Sequence, residues 1–177
     1  MALIFVRHGK LQVASGICYG QTDVPSAVLD NAKVCQLLAG IPRPILRLDT
    51  SPLGRCRSLA AQISSTLNLP IHTDRRLMEI DFGCWEMRKW DDIPRYEIDA
   101  WAKDVEGARP HGGESVAQMM ERVRSYLNDL PKSEGHVLAV THLGVVRCAA
   151  AVLGLPDPFE MELGFGKFLV VEPKETV

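Results

Sequence analysis

Four apolar residues in succession, Leu3 to Val6, stop at Arg7-His8-Gly9. An unbroken run of this kind predicts a strand buried on both faces, as in a parallel sheet covered by helices. Ligands of open α/β sheets bind at the carboxyl ends of the strands, so Arg7 and His8 are expected at that edge. Val137 to Val140 repeats the signature and leads into Thr141-His142. Ile45–Asp49, the short Ile71–Thr73 and Phe168–Val171 complete the predicted strands, and the residues after them are polar and expected to fray.

Helical periodicity fills the intervals. A helix is predicted over 27–39, with Val28, Leu29, Ala32, Cys35 and Leu38 inward and Gly40 ending it. A second is predicted from Ser51 as N-cap and Pro52 as first helical residue, with Leu53, Cys56, Ala60, Ile63 and Leu67 inward. The stretch 90–106 reads as helical, with Trp90, Ile93, Trp101 and Val105 as packing residues, and Pro94 must start or interrupt it. Ser115-x-x-Gln118 forms a capping box for a helix reaching about Leu130, and a small-residue helix is predicted over 143–153. Between Lys10 and Ser26 no period is sustained. A connection of that length in a compact domain is expected to be functional, and Gln21, Thr22 and Asp23 beside Gly20 offer hydrogen-bonding groups there.

The 177 residues fit one domain, 1–177, and carry a formal net charge of −2. That balance gives no basic field for nucleic acid, so any affinity for anions must be local and the partner small. Met1-Ala2 enters the first strand directly and no apolar run has bilayer-spanning length, so a cytoplasmic protein that does not bind membranes is expected. The five cysteines are widely spaced and read as reduced thiols, with Cys35 and Cys148 in the core. None has an arginine six positions later, which disfavours a thiol phosphatase.

Two buried strands therefore end in histidine, His8 and His142, and Arg7 precedes the first. Arg55 and Arg57 stand in the first turns of a helix, where the macrodipole disfavours cations unless an anion is near. They flank the apolar stripe on opposite sides, so periodicity does not choose between them. Glu79, Asp81 and Glu86 lie among large apolar residues, and any of them desolvated would hold a proton near neutral pH. His111 reads as a loop residue. The histidines and arginines describe a cationic, phosphate-sized pocket. A divalent metal is disfavoured beside guanidinium groups, and no H-x-x-x-H or H-x-E spacing accompanies the histidines, so neither metal nor other cofactor is expected. Such a pocket can move a phosphoryl group through a covalent phosphohistidine.

Val6-Arg7-His8-Gly9, Ser51-Pro52-Leu53-x-Arg55, Leu77-x-Glu79-x-x-Phe82-Gly83-x-Trp85-Glu86, Pro110-x-Gly112-Gly113-Glu114-Ser115 and Val140-Thr141-His142-x-Gly144-Val145 follow the order and spacing of a known family. They resemble the histidine phosphatase superfamily (phosphoglycerate-mutase-like) over nearly the whole chain. The resemblance implies a three-layer α/β/α sandwich with a mainly parallel central sheet and a phosphoric monoester hydrolase. It implies His8 as nucleophile, Arg7 and Arg55 as phosphoryl ligands, Glu79 as proton donor and His142 as second histidine. It further implies phosphate or substrate contacts from Gly9, Gly20, Gln21, Thr22 and Leu143. Cys18 to Pro25 and Phe82 to Met87 look most like the α-ribazole phosphatases, so a small phosphate ester, α-ribazole 5′-phosphate, is the substrate implied.

Where the family often has Glu or Gln after R-H-G and Asn six residues after the histidine, this chain has Lys10 and Ala14. Leu143 replaces the first glycine after the second histidine, and the C-terminal part is short, so a segment covering the site is expected to be missing. Alternatives are a broad-specificity phosphatase, a phosphoglycerate-mutase-like phosphotransferase, and a non-catalytic phosphate-binding protein. A homodimer is compatible with all of these readings.

Overall fold

Five strands, β1 (Leu3–Arg7), β2 (Ile45–Thr50), β3 (Ile71–Thr73), β4 (His136–Thr141) and β5 (Phe168–Val171), form one sheet in the order β3-β2-β4-β1-β5. The computed structural model describes residues 1–131 and 135–172; the expected fraying of the last residues falls at 173–177, outside that range. β5 alone runs antiparallel.

Successive β1 side chains divide between two cores. Leu3 and Phe5 pack with Met119, Val123, Val145 and Val146, while Ile4 and Val6 pack with Val34, Leu38, Leu59 and Ile63. Two helices, α1 (Asn31–Ala39) and α2 (Gly54–Leu67), therefore cover one face of the sheet, and α4 (Val116–Asn128) with α5 (Leu143–Val152) covers the other. This is the expected three-layer α/β/α sandwich, and it explains why β1 lacks apolar–polar alternation.

Three helix boundaries differ from the sequence reading. α1 starts later, because Ala27 N–H donates to the Lys10 carbonyl at 2.8 Å and Asp30 caps the helix by accepting from Lys33 N–H. The inward residues are consequently Val34, Leu37 and Leu38, and Val28, Ala32 and Cys35 are exposed, so Cys35 is not a core residue. α2 begins at Gly54 behind Leu53, leaving Ser51 in the extended chain before Pro52. Over 90–106 the helix is broken: a 3₁₀ turn spans Trp90–Asp92, Pro94 is an N-cap, and α3 covers Arg95–Lys103. α4 carries the predicted capping box, with both reciprocal bonds formed.

Beyond the ends of β1, β2 and β4 a third apolar cluster joins Cys18, Trp85 and Ile93, packed by Phe82, Trp90, Ile98 and Trp101. It anchors the 10–26 loop, since Cys18 exchanges main-chain hydrogen bonds with Arg88 and Met87. Among the described residues no helix is long and apolar enough to cross a membrane.

Candidate active site

Parallel pairing of β1 with β4 sets Arg7 opposite Thr141, so the following residues, His8 and His142, leave the sheet side by side. Their ring centroids are 5.1 Å apart. His8 is 1% exposed, and its Nδ1 lies 2.8 Å from the Gly9 carbonyl. A carbonyl only accepts, so Nδ1 bears the proton and Nε2 keeps the lone pair. Burial lowers the His8 pKa to about 3, against the Gly9 bond and with help from the charges of Arg55 and Arg7. The ring is thus a neutral base at neutral pH.

Arg55, in the first turn of α2, is fully buried. Its Nη2 and Nη1 donate to the Gly20 and Thr22 carbonyls at 2.6 and 2.7 Å, and its Nε donates to His142 Nδ1 at 3.3 Å. Because Nδ1 accepts, His142 Nε2 is the protonated nitrogen, and it donates to Ser51 Oγ at 2.9 Å. Complete burial, then the Arg55 charge, holds the His142 pKa well below the usual histidine range. Arg7 Nη1 donates to the Leu163 carbonyl at 2.7 Å, and the Phe165 ring lies 3.9 Å from its Cζ. Among the described residues, neither Arg7 nor Arg55 has a carboxylate at ion-pair distance. Two guanidinium groups without counter-anions at one strand edge make a site that favours an anion. Arg57, in contrast, is exposed to solvent.

The three carboxylates separate by environment. Glu79 is buried; its Oε1 accepts from Ile80 N–H at 3.0 Å and its Oε2 lies 3.4 Å from Gly144 N–H. A Cβ on Gly144 would fall 2.2 Å from that Oε1, so the glycine in the head of α5 is what admits the carboxylate. Burial raises the Glu79 pKa above the usual carboxylate range, opposed by those two N–H groups and by the Arg55 charge. Its main-chain carbonyl accepts from Gln21 Nε2 at 3.0 Å and Arg122 Nη2 at 3.2 Å, and Arg122 is itself paired with Glu114. Glu86 is spent on architecture, accepting from Gln21 N–H, Thr22 N–H, the Thr22 hydroxyl and Phe82 N–H. Asp81 accepts from Gly83 N–H.

His8, Arg7, Arg55, Glu79 and His142 are therefore brought together, and the loop residues come with them in a different capacity. Gly20 and Thr22 offer main-chain carbonyls to Arg55, while Gln21 braces Glu79. Gly9 lets Ala27 approach, because a Cβ there would sit 2.7 Å from the Ala27 carbonyl oxygen. Leu143 is half-buried at the first position of α5. His111 lies beside Phe82 and Trp85, with Nδ1 accepting from Gly113 N–H.

Sequence reasoning missed Ser51 as a partner of His142, having spent it as a helix cap. It also missed Phe165, whose ring lies 5.5 Å from that of His8 and also against Arg7, between Gly164 and Gly166. The segment leading into β5 thus sets one aromatic ring against both His8 and Arg7. The two flanking glycines were the available signal. Next to Glu79, Tyr19, Phe82 and Trp90 wall a recess of about 140 Å³.

The family model of the histidine phosphatase superfamily (branch 1) matches residues 3–171. A probable phosphoglycerate mutase, GpmB, of Yersinia enterocolitica is 32% identical, over 92% of this chain and 80% of that protein. The adenosylcobalamin/alpha-ribazole phosphatase of Escherichia coli K12 is 28% identical, over 88% and 81%. Among solved structures, a putative alpha-ribazole-5′-P phosphatase from Escherichia coli K-12 superposes with a TM-score of 0.82 at 26% identity, over 96% of this chain and 89% of that one. Mycobacterial glucosyl-3-phosphoglycerate phosphatase superposes with a TM-score of 0.79 at 25% identity, over 96% and 88%. The chain belongs to the histidine phosphatase superfamily (branch 1), as a phosphomonoesterase of that fold.

Proposed function

We propose that the protein hydrolyses a small phosphate monoester through a phosphohistidine on His8, and that its substrate is α-ribazole 5′-phosphate or a close analogue with a flat aromatic leaving group. The observation that carries the chemistry is the His8 tautomer. With Nδ1–H donated to the Gly9 carbonyl, the Nε2 lone pair is the nucleophile. Nε2 attacks phosphorus, the ester P–O bond breaks, and the departing oxygen takes the proton held by Glu79. Arg7 and Arg55 disperse the charge on the transferring oxygens, exchanging the Leu163, Gly20 and Thr22 carbonyls for phosphoryl oxygens. His142 joins them as a donor when its Nε2–H turns from Ser51 to the phosphoryl group. Water then attacks phospho-His8, Glu79 accepts its proton, and inorganic phosphate leaves with both residues restored. Because Phe165 lies against both His8 and Arg7, the phosphate reaches Nε2 only after that ring swings aside.

Support for the substrate comes from the recess at Glu79. Aromatic walls stack flat apolar rings, and Tyr19, Phe82 and Trp90 supply them where the leaving group must stand to receive the Glu79 proton. Steady-state kinetics over α-ribazole 5′-phosphate, 3-phosphoglycerate, glucosyl-3-phosphoglycerate and p-nitrophenyl phosphate tests this reading. The expected result is the highest kcat/KM for α-ribazole 5′-phosphate, with Trp90→Ala raising its KM about tenfold, the effect of one lost stacking contact. Equal kcat/KM on all four would overturn the substrate and leave the chemistry standing.

A further inference from the structure

On the other side of Phe165 lies a second and larger cavity, of about 560 Å³, separate from the recess at Glu79. Much of its lining is apolar: Val28 and Leu29 before α1 line it together with Phe165 and Phe168. Val28 is 69% exposed and Phe165 is 38% exposed. Apolar side chains left this open in a concave setting mark a place where a ligand packs.

The walls carry one sign of charge. Lys10, Lys33 and Lys167 line the cavity and, among the described residues, no carboxylate does. Lys33 is paired with Asp30, whereas Lys10 and Lys167 have no ion pair among the described residues. Lysine stems can pack on apolar surface while their ammonium groups stay in water, so a cavity with this lining is matched to a molecule with an apolar body and an anionic end. Nothing in the phosphoryl chemistry uses these lysines. The lining explains why α1 begins late: Ala27 is held to Lys10, which keeps Val28 and Leu29 out of the helix and at the cavity.

We propose that this cavity is a second ligand site, for a small amphiphilic anion, and that its occupant packs on the outer face of Phe165 and holds that ring over His8. The binding stands on the cavity alone; the inhibitory consequence rests on the reading of His8 as the reacting group. An anion bound there is then an inhibitor, because substrate phosphate needs Phe165 to move.

Octanoate is a suitable probe, having an apolar chain, one carboxylate and no phosphate to transfer. Isothermal titration calorimetry on the whole protein is expected to give saturable 1:1 binding, with acetate and 1-octanol each binding more weakly. The Lys10→Gln/Lys167→Gln variant is expected to bind octanoate about fivefold more weakly, the worth of two solvent-exposed ion pairs. The same variant should hydrolyse p-nitrophenyl phosphate at the unaltered rate and lose inhibition by octanoate in proportion. No saturable binding, or binding undiminished in the double variant, overturns the site. Binding lost in the variant, with hydrolysis unaffected by octanoate in either protein, overturns the coupling to Phe165. Loss of hydrolysis in both proteins without octanoate would instead contradict the phosphatase reading, which calorimetry does not depend on.

Discussion

Glu79 shows how much a single environment decides. Three carboxylates lie within eight residues of one another and share similar apolar neighbours, and the sequence alone does not rank them. Glu86 gathers three N–H donors and a hydroxyl, whereas Glu79 is buried with two N–H groups and, among the described residues, no ion-paired cation. Its raised pKa suits it to the proposed role of acid, and the sign of the pH effect follows from that proposal. Protonated Glu79 is the active form for leaving-group departure, so kcat/KM falls as pH rises through its pKa. The His8 pKa of about 3 means that the nucleophile stays unprotonated well into the acid range. A pH profile is expected to decline on the alkaline side with no matching acid decline near pH 6.5. Glu79→Gln should flatten that decline and lower kcat about 10²–10⁴-fold on alkyl phosphates, less on p-nitrophenyl phosphate, whose leaving group needs no proton. A profile unchanged in Glu79→Gln would remove Glu79 from the role.

Among the elements, strands and helices were legible wherever burial is set locally. The unbroken runs of β1 and β4 and the capping box of α4 each carry their reason in adjacent residues. What misled the reading were contacts from distant parts of the chain. α1 loses its predicted first turn because Lys10 holds Ala27, and Ser51 forgoes capping for His142, 91 residues away. The structural part that the 10–26 loop plays was not legible in its own residues. Its Gly20 and Thr22 carbonyls hold Arg55, and Glu86 holds the loop through Gln21 and Thr22. Gly20 must be glycine there, at φ +43 with a Cβ position 2.1 Å from Glu86 Oε1. Glu86→Ala leaves those N–H groups without their acceptor. It is expected to cost about 1–3 kcal/mol in urea unfolding, to lower kcat/KM, and to speed hydrogen exchange at residues 17–24 before the rest of the domain. Unchanged exchange in that segment would mean that Glu86 does not hold the loop.

For the whole molecule, the sheet supplies position and the loops supply closure. Parallel pairing of β1 with β4 aligns the two histidines, α2 beside β2 delivers Arg55, and the head of α5 makes room for Glu79. This constellation was legible because each member ends a strand or starts a helix, where local pattern and chemistry coincide. The cover over His8 was not, because Phe165 reaches it from 157 positions along the chain and only the antiparallel return of β5 brings it there. In the proposed reaction the phosphoryl group passes through His8 Nε2. Rapid quenching of the protein with radiolabelled substrate, followed by peptide mapping, tests it most directly. The expected result is one acid-labile, base-stable phosphoryl group on His8, formed within the first turnover, and neither label nor turnover in His8→Gln. Label on another residue, or steady turnover by His8→Gln, would contradict it.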